Sequence, residues 1–130
     1  MDPDNPLVGK TLSVEDLSKA KHVGARLWSG WRQPYIVAAE KMGATINEVL
    51  IVNDQASIPR LIRGTELIGG MPTSNANRYK GQIGIAHFPF HIDLMMNMFW
   101  SAAANNSPLN RWLRQIVIEE VGKIEGPSAI

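Results

Sequence analysis

The chain contains no cysteine, which removes disulfides, thiolate nucleophiles and zinc sites built on thiolates. Charge of one sign is also lacking: 13 Lys and Arg stand against 12 Asp and Glu, a net charge of +1. The cations are scattered, with Lys19 and Lys21, Arg60 and Arg63, Arg78 and Lys80, and Arg111 and Arg114 far apart in sequence. A phosphate backbone is held by a concentrated basic face, so this stretch is not expected to bind DNA by itself. No apolar run approaches the roughly 20 residues of a membrane helix, and no membrane partner is expected. The opening Met1-Asp2-Pro3-Asp4-Asn5-Pro6 lacks the basic and apolar regions of a secretory signal. The expected location is therefore cytoplasmic, where Asn105-Asn106-Ser107 would not be glycosylated.

Catalytic motifs are missing as well. There is no Gly-x-Ser-x-Gly elbow for a nucleophilic serine. Gly64, Gly69 and Gly70 lack the spacing of a phosphate loop, and the last two precede a turn at Pro72. His22, His87 and His91 form no metal-ligand spacing with carboxylates on one helix face, and Pro89 disfavours the helix that would align the latter two. No two acids share an apolar pocket by any pattern argument. The expectation is a protein that is not an enzyme and carries no metal or cofactor.

What is present is a small soluble α/β pattern. The 130 residues are 45% hydrophobic and 19% charged, enough for one modest core. Short apolar runs alternate with helical stretches, as in a mostly parallel sheet with flanking helices. Ser13-Val14-Glu15-Asp16 reads as a capped helix start, with the helix ending near Lys19. His22–Leu27 reads as a strand. Pro34 suits the first position of a second helix, whose apolar stripe is Tyr35, Val37, Ala38 and Met42 and whose end is Gly43. Asn47–Val52 reads as a buried strand. A third helix carries Ile58, Leu61 and Ile62 and stops at Gly64, and Leu67-Ile68 begins a third strand. Thr73–Tyr79 reads as a weak helix, Ile83–Phe88 as a fourth strand, and Asp93–Trp100 as a strand with one apolar face. The strongest amphipathic signal is a last helix from Pro108 to Lys123, with Leu109, Trp112, Leu113, Ile116, Val117, Val121 and Ile124 on one side. The six methionines read as core filler.

In open parallel sheets, ligands sit beyond the carboxyl ends of the strands. Two such ends stand out. One carries Trp28, Ser29, Trp31 and Arg32; the other carries Asn53, Asp54, Gln55 and Ser57. Aromatic faces beside an arginine suit a flat anion, held by stacking and charge-assisted hydrogen bonds. The backbone N–H groups near Ser57 would add donors for a carboxylate. The plainer reading is that the tryptophans cover the core and Ser57 caps its helix.

Two stretches carry a family resemblance. Asn53-Asp54-Gln55-Ala56-Ser57-Ile58-Pro59-Arg60-Leu61-Ile62-Arg63-Gly64-Thr65-Glu66-Leu67-Ile68-Gly69-Gly70-Met71-Pro72 resembles the effector-domain segment of LysR-type transcription regulators. Met98-Phe99-Trp100, followed by Asn110-Arg111-Trp112-Leu113-Arg114, is similar to the closing strand and C-terminal helix of that family. The opening from Pro6-Leu7-Val8-Gly9-Lys10 through Leu17 to His22-Val23 is similar to its linker into the second regulatory subdomain. Within the family, Asn97-Met98-Phe99-Trp100 looks closest to the aromatic-responsive branch that includes the naphthalene, salicylate and nodulation regulators.

The resemblance implies a periplasmic-binding-protein-like regulatory subdomain over residues 1–90. Residues 91–130 would be the returning strand and helix that complete the first subdomain. It implies a small, aromatic effector in a cleft between subdomains. Trp28, Trp31, Arg32, Asp54, Gln55 and Ser57 would face that cleft. Arg32 and Asp54 stand where salicylate regulators commonly carry histidines, which points to a different aromatic or chlorinated compound. A whole regulator also has a winged helix-turn-helix, a linker helix and a first regulatory subdomain. DNA would be contacted only through such a segment, which these residues do not contain. The apolar surface of Trp100, Trp112 and Ile116 would then seek another partner, and homo-oligomerisation is expected. The alternative is a free-standing small α/β solute-binding protein or enzyme.

Overall fold

A computed structural model describes residues 1–26, 32–92 and 97–124. The chain divides into two compact units, Met1–Asp93 and Leu94–Ile130, each taken by itself below.

The first unit opens with α1, Val14–Lys19. Its start is a complete capping box. The Ser13 hydroxyl accepts from the Asp16 N–H at 3.0 Å, and the Asp16 carboxylate accepts from the Ser13 N–H at 2.8 Å, so two otherwise orphaned donors are satisfied. Leu17 is the residue this helix buries. Then come β1 (Lys21–Ala25), α2 (Pro34–Lys41), β2 (Asn47–Val52), α3 (Ile58–Ile62), β3 (Leu67–Ile68) and α4 (Thr73–Asn77). The strands form one parallel sheet in the order β2-β1-β3. A parallel sheet with flanking helices is the α/β architecture expected from the alternating pattern.

The central position of β1 explains its burial: His22, Val23, Gly24 and Ala25 are all inside. Two apolar clusters pack around it. One gathers Leu12, Leu17, Ala39 and Ile68; the other gathers Val23, Ala25, Ile58, Ile62 and Ile83. Pro34 does open α2, and Gly43 and Gly64 follow α2 and α3 at φ 92° and 69°, the left-handed conformation that ends helices.

Four expectations need correction. Of the expected α2 stripe only Tyr35 is buried: the helix buries Tyr35, Ile36 and Ala39, while Val37 and Met42 are 38% and 47% exposed. The spacings of three and four hold, but along a neighbouring row of the helix. Strand β2 is not buried: it alternates exposed and half-buried residues, leaving Val49 and Ile51 in solvent, because it lies at the sheet edge. Ile83–Phe88 is not a strand. It makes two isolated bridges, Lys80 to Ile83 and Thr11 to His87, and hydrogen bonds from the Gly9 N–H to Ile85 O and from the Leu12 N–H to His87 O, both 2.8 Å. Its neighbour is an irregular stretch with Gly9 at φ 76°, and Pro89 cannot donate to a ladder. Of the expected strand Asp93–Trp100, the first four residues lie outside the described residues. Asn97–Trp100 is irregular, with Phe99 89% exposed. Among the described residues of its unit this stretch has no strand beside it, and an extended segment without a ladder partner does not persist.

The second unit holds a 3-10 turn at Ala102–Ala104 and the long helix α5, Pro108–Ile124. Trp100 docks on the start of α5: its indole N–H donates to Asn105 Oδ1 at 3.1 Å, and the Arg114 guanidinium lies 4.3 Å from the ring centroid, a cation–π pair. On α5, Leu109, Trp112, Leu113 and Val117 are exposed.

Candidate functional site

The carboxyl ends of β1, β2 and β3 are where a parallel sheet offers polar groups to a ligand. Trp28 and Trp31 lie outside the described residues. Arg32 is the first described residue after them and the last but one before α2. Its guanidinium is paired with two acids: Nη1 and Nη2 donate to the two Glu40 oxygens, each at 2.8 Å, and Nη2 also donates to Glu48 at 3.3 Å. The fork-to-fork geometry with Glu40 is the strong, planar form of the pair. It holds the Glu40 carboxyl below its ordinary range and raises the Arg32 guanidinium. Arg26 adds a second cation to Glu48 at 3.6 Å. The Glu48 side chain, only 10% exposed, folds across β1 over Gly24, where a Cβ would sit 2.1 Å from its carboxylate oxygen.

Next to Arg32, Gln33 turns the other way. It is 1% exposed. Its Oε1 accepts from the Ala25 N–H at the end of β1, and its Nε2 donates to the Gly70 carbonyl just past β3, both at 2.9 Å. One amide therefore ties the start of α2 to the ends of two strands, so it makes no cap bond to its own helix. Behind it, His22 Nε2 lies 2.8 Å from the Leu17 carbonyl, and its Nδ1 is 3.3 Å from the Tyr35 hydroxyl. A carbonyl only accepts, so Nε2 carries the proton and Nδ1 accepts from the tyrosine. Burial lowers the His22 pKa and raises that of Tyr35. Tyr35 continues into a stack with Phe88 and Phe90, at centroid separations of 5.1 and 5.3 Å.

The second strand end is closed by its own hydrogen bonds. Asp54 accepts from the Ser57 N–H at 2.8 Å and from the Ser57 hydroxyl at 2.7 Å, which lowers the Asp54 pKa. Ser57 makes no side-chain cap to α3, contrary to the capping alternative, because its hydroxyl is spent on Asp54. The Ser57 N–H, one of the backbone donors in the region expected to meet a ligand carboxylate, is likewise occupied. Gln55 instead lines a cavity of about 160 Å³ with Ala56, Met71, Asn75, Arg78 and Tyr79. A wider, open depression of about 630 Å³ lies at the other end of α3, beside Asp2, Arg60 and Arg63.

The sequence-predicted residues thus fall into two groups, Arg32 with Glu40 and Glu48, and Asp54 with Ser57. No hydrogen bond or ion pair joins the groups among the described residues. Gln33, Glu40 and Glu48 were not legible as site residues. Gln33 reads as loop before a proline, and the acids stand 8 and 16 residues from Arg32. The two signals available in the sequence were Gly24, which makes room in a strand for a neighbour, and a glutamate inside the apolar run of β2.

A parallel sheet capped by polar side chains beyond its carboxyl ends defines an α/β ligand-binding layer of the periplasmic-binding-protein kind. The LysR substrate binding domain family matches residues 1–122, and the chain belongs to that family. It is 28% identical over 119 residues to the HTH-type transcriptional activator NagR of a Ralstonia species, covering 89% of this chain and 40% of that protein. It is 30% identical over 83 residues to Nodulation protein D 2 of Rhizobium tropici, covering 62% of this chain and 26% of that protein. The chain therefore spans well under half the length of either relative.

Proposed function

We propose that this chain is the effector-sensing part of a LysR-type transcription regulator and performs no chemistry on what it binds. The observation that carries the reading is the family match across residues 1–122, with a transcriptional activator among the relatives. Residues 1–90 act as the second regulatory subdomain, and residues 91–130, with the helix α5, as the segment that completes the first. DNA is contacted through a helix-turn-helix elsewhere in the regulator.

The effector is a small aromatic acid. Trp28 and Trp31 supply the stacking wall, and Arg32 the charge contact, with Asp54, Gln55 and Ser57 as orienting polar groups. Since Arg32 is already paired, the ligand acts by exchange: its carboxylate takes the place of Glu40 on the guanidinium fork. Glu40 lies within α2, so its release alters what α2 holds. Gln33, beside Arg32, carries that change to the ends of β1 and β3. Binding then favours one of two arrangements of an oligomer by differential affinity.

Titration of benzoate and substituted benzoates against tryptophan fluorescence, in the parent chain and Arg32→Ala, tests the proposal. Saturable quenching is expected in the parent and a shift to weaker binding in the variant. Superimposable curves would remove Arg32 from the site.

A further inference from the structure

We propose that the cavity between the entry loop of α3 and helix α4 is a binding site of its own, taking a single-ring monocarboxylate anchored on Arg78. It shares Gln55 with the proposed effector face and otherwise stands on separate residues.

The cavity lies wholly within the first unit. The loop after β2 supplies Gln55, the turn after β3 supplies Met71, and α4 and its end supply Asn75, Arg78 and Tyr79. Its volume, about 160 Å³, matches the roughly 150 Å³ that accommodates one benzene ring and leaves no room for two. The lining is uneven in a way that selects chemistry. Met71 and Tyr79 are half-buried and offer a polarizable thioether and an aromatic face. Gln55 and Asn75, also half-buried, make no side-chain hydrogen bond among the described residues.

Arg78 is the only charged residue of the lining. Arg26 and Arg32 are paired with Glu48 and Glu40, Arg111 with the Asn106 carbonyl and Arg114 with Asn105, Asn110 and Trp100, while Arg60 and Arg63 line the separate, open depression beside Asp2. Among the described residues, Arg78 has no acid or hydrogen-bond acceptor on its side chain, and it stands exposed at the cavity mouth. A guanidinium presents a planar fork that fits a carboxylate in two parallel hydrogen bonds. One cation and no second base favour a monoanion over a phosphate. The carboxylate sits at the mouth on Arg78, the ring lies between Met71 and Tyr79, and the two amides meet ring substituents.

The test is an NMR titration of the 130-residue chain with benzoate. Saturable shifts are expected at the side-chain amides of Gln55 and Asn75 and the methyl of Met71. Arg78→Gln should weaken binding about tenfold, the worth of a charge-assisted hydrogen bond, and benzamide should bind parent protein as weakly. Arg60→Gln, which removes a charge on α3 outside this cavity, should leave the affinity unchanged, and 2-naphthoate should not shift the three reporters. The proposal is overturned by silent reporters at saturating benzoate, by equal affinity in Arg78→Gln, or by equal binding of benzamide or 2-naphthoate. It is equally overturned if benzoate shifts vanish in Arg32→Ala and persist in Arg78→Gln, which would place the ligand on the effector face.

Discussion

Replacing Gln33 by methionine isolates the amide that ties α2 to the sheet. Methionine keeps the length and most of the volume of glutamine but neither hydrogen-bonding group. The Ala25 N–H and the Gly70 carbonyl, each now held at 2.9 Å, would lose their partners where the side chain is 1% exposed. An unpaired buried backbone group costs about 1–3 kcal/mol, and methionine recovers part of the sum through apolar burial. The expected loss is about 2–4 kcal/mol, a large share of the 5–15 kcal/mol typical of a domain. Urea unfolding followed by far-UV circular dichroism, with the slope unchanged, reads this directly. Gln33→Glu sharpens the test. An ionised carboxylate still accepts from Ala25 but opposes the Gly70 carbonyl, which raises its folded pKa above the unfolded value. Its deficit relative to the parent should therefore shrink as the pH falls from 7 and the acid gains a proton to donate. If Gln33→Met stays within about 0.5 kcal/mol of the parent, the margin of a neutral surface change, the bridging role is wrong.

Gly70→Ala would bring a methyl to 2.2 Å from the Tyr35 ring; overpacking of this kind costs about 1–3 kcal/mol, and the thermal midpoint should fall by about 4–8 °C for each kcal/mol lost. An unchanged melt would show that Tyr35 moves aside freely. His22 has its folded pKa depressed by burial below the usual 6.5, so folding excludes a proton that the unfolded chain accepts. Stability should hold above pH 6.5 and fall from there down to the folded pKa, with a slope of at most about 1.4 kcal/mol per pH unit. His22→Gln should flatten that segment of the profile, and an identical slope in both proteins would exclude His22 as its source. Finally, light scattering of the parent at rising concentration should show self-association that Trp112→Glu, on the exposed face of α5, abolishes. A parent that remains monomeric would refute it.

Local chemistry was readable along this chain, and neighbourhood was not. Ser13 with Asp16, Pro34, Gly43 and Gly64 announce helix ends because their effects act within four residues. The order β2-β1-β3 does not follow from strand composition. Val49-Leu50-Ile51-Val52 reads as buried whether the strand is central or at an edge, and only the sheet decides that Val49 and Ile51 meet solvent. Ile83–Phe88 has a strand's composition but no strand for a partner, so it makes only isolated bridges at Ile83 and His87. Arg32 was visible as a charge beside aromatics, yet its engagement depends on Glu40 and Glu48, which only folding brings to it. Gln55 reads as a ligand contact from its place after a strand, whereas Arg78, which lines the same cavity, is one scattered cation among 13.

The cluster around Glu48 also sets how salt acts on the molecule. Arg26 and Arg32 face Glu40 and Glu48, two cations against two anions, a neutral knot. An anion that enters by displacing Glu40 leaves the local charge of the contact itself unaltered, and its affinity should change little with ionic strength. An anion arriving at Arg78 neutralises a lone exposed cation, an attraction that dissolved ions screen over roughly 8 Å under physiological conditions. Raising the salt would therefore separate the two recognition events without any mutation, weakening one ligand's hold while sparing the other.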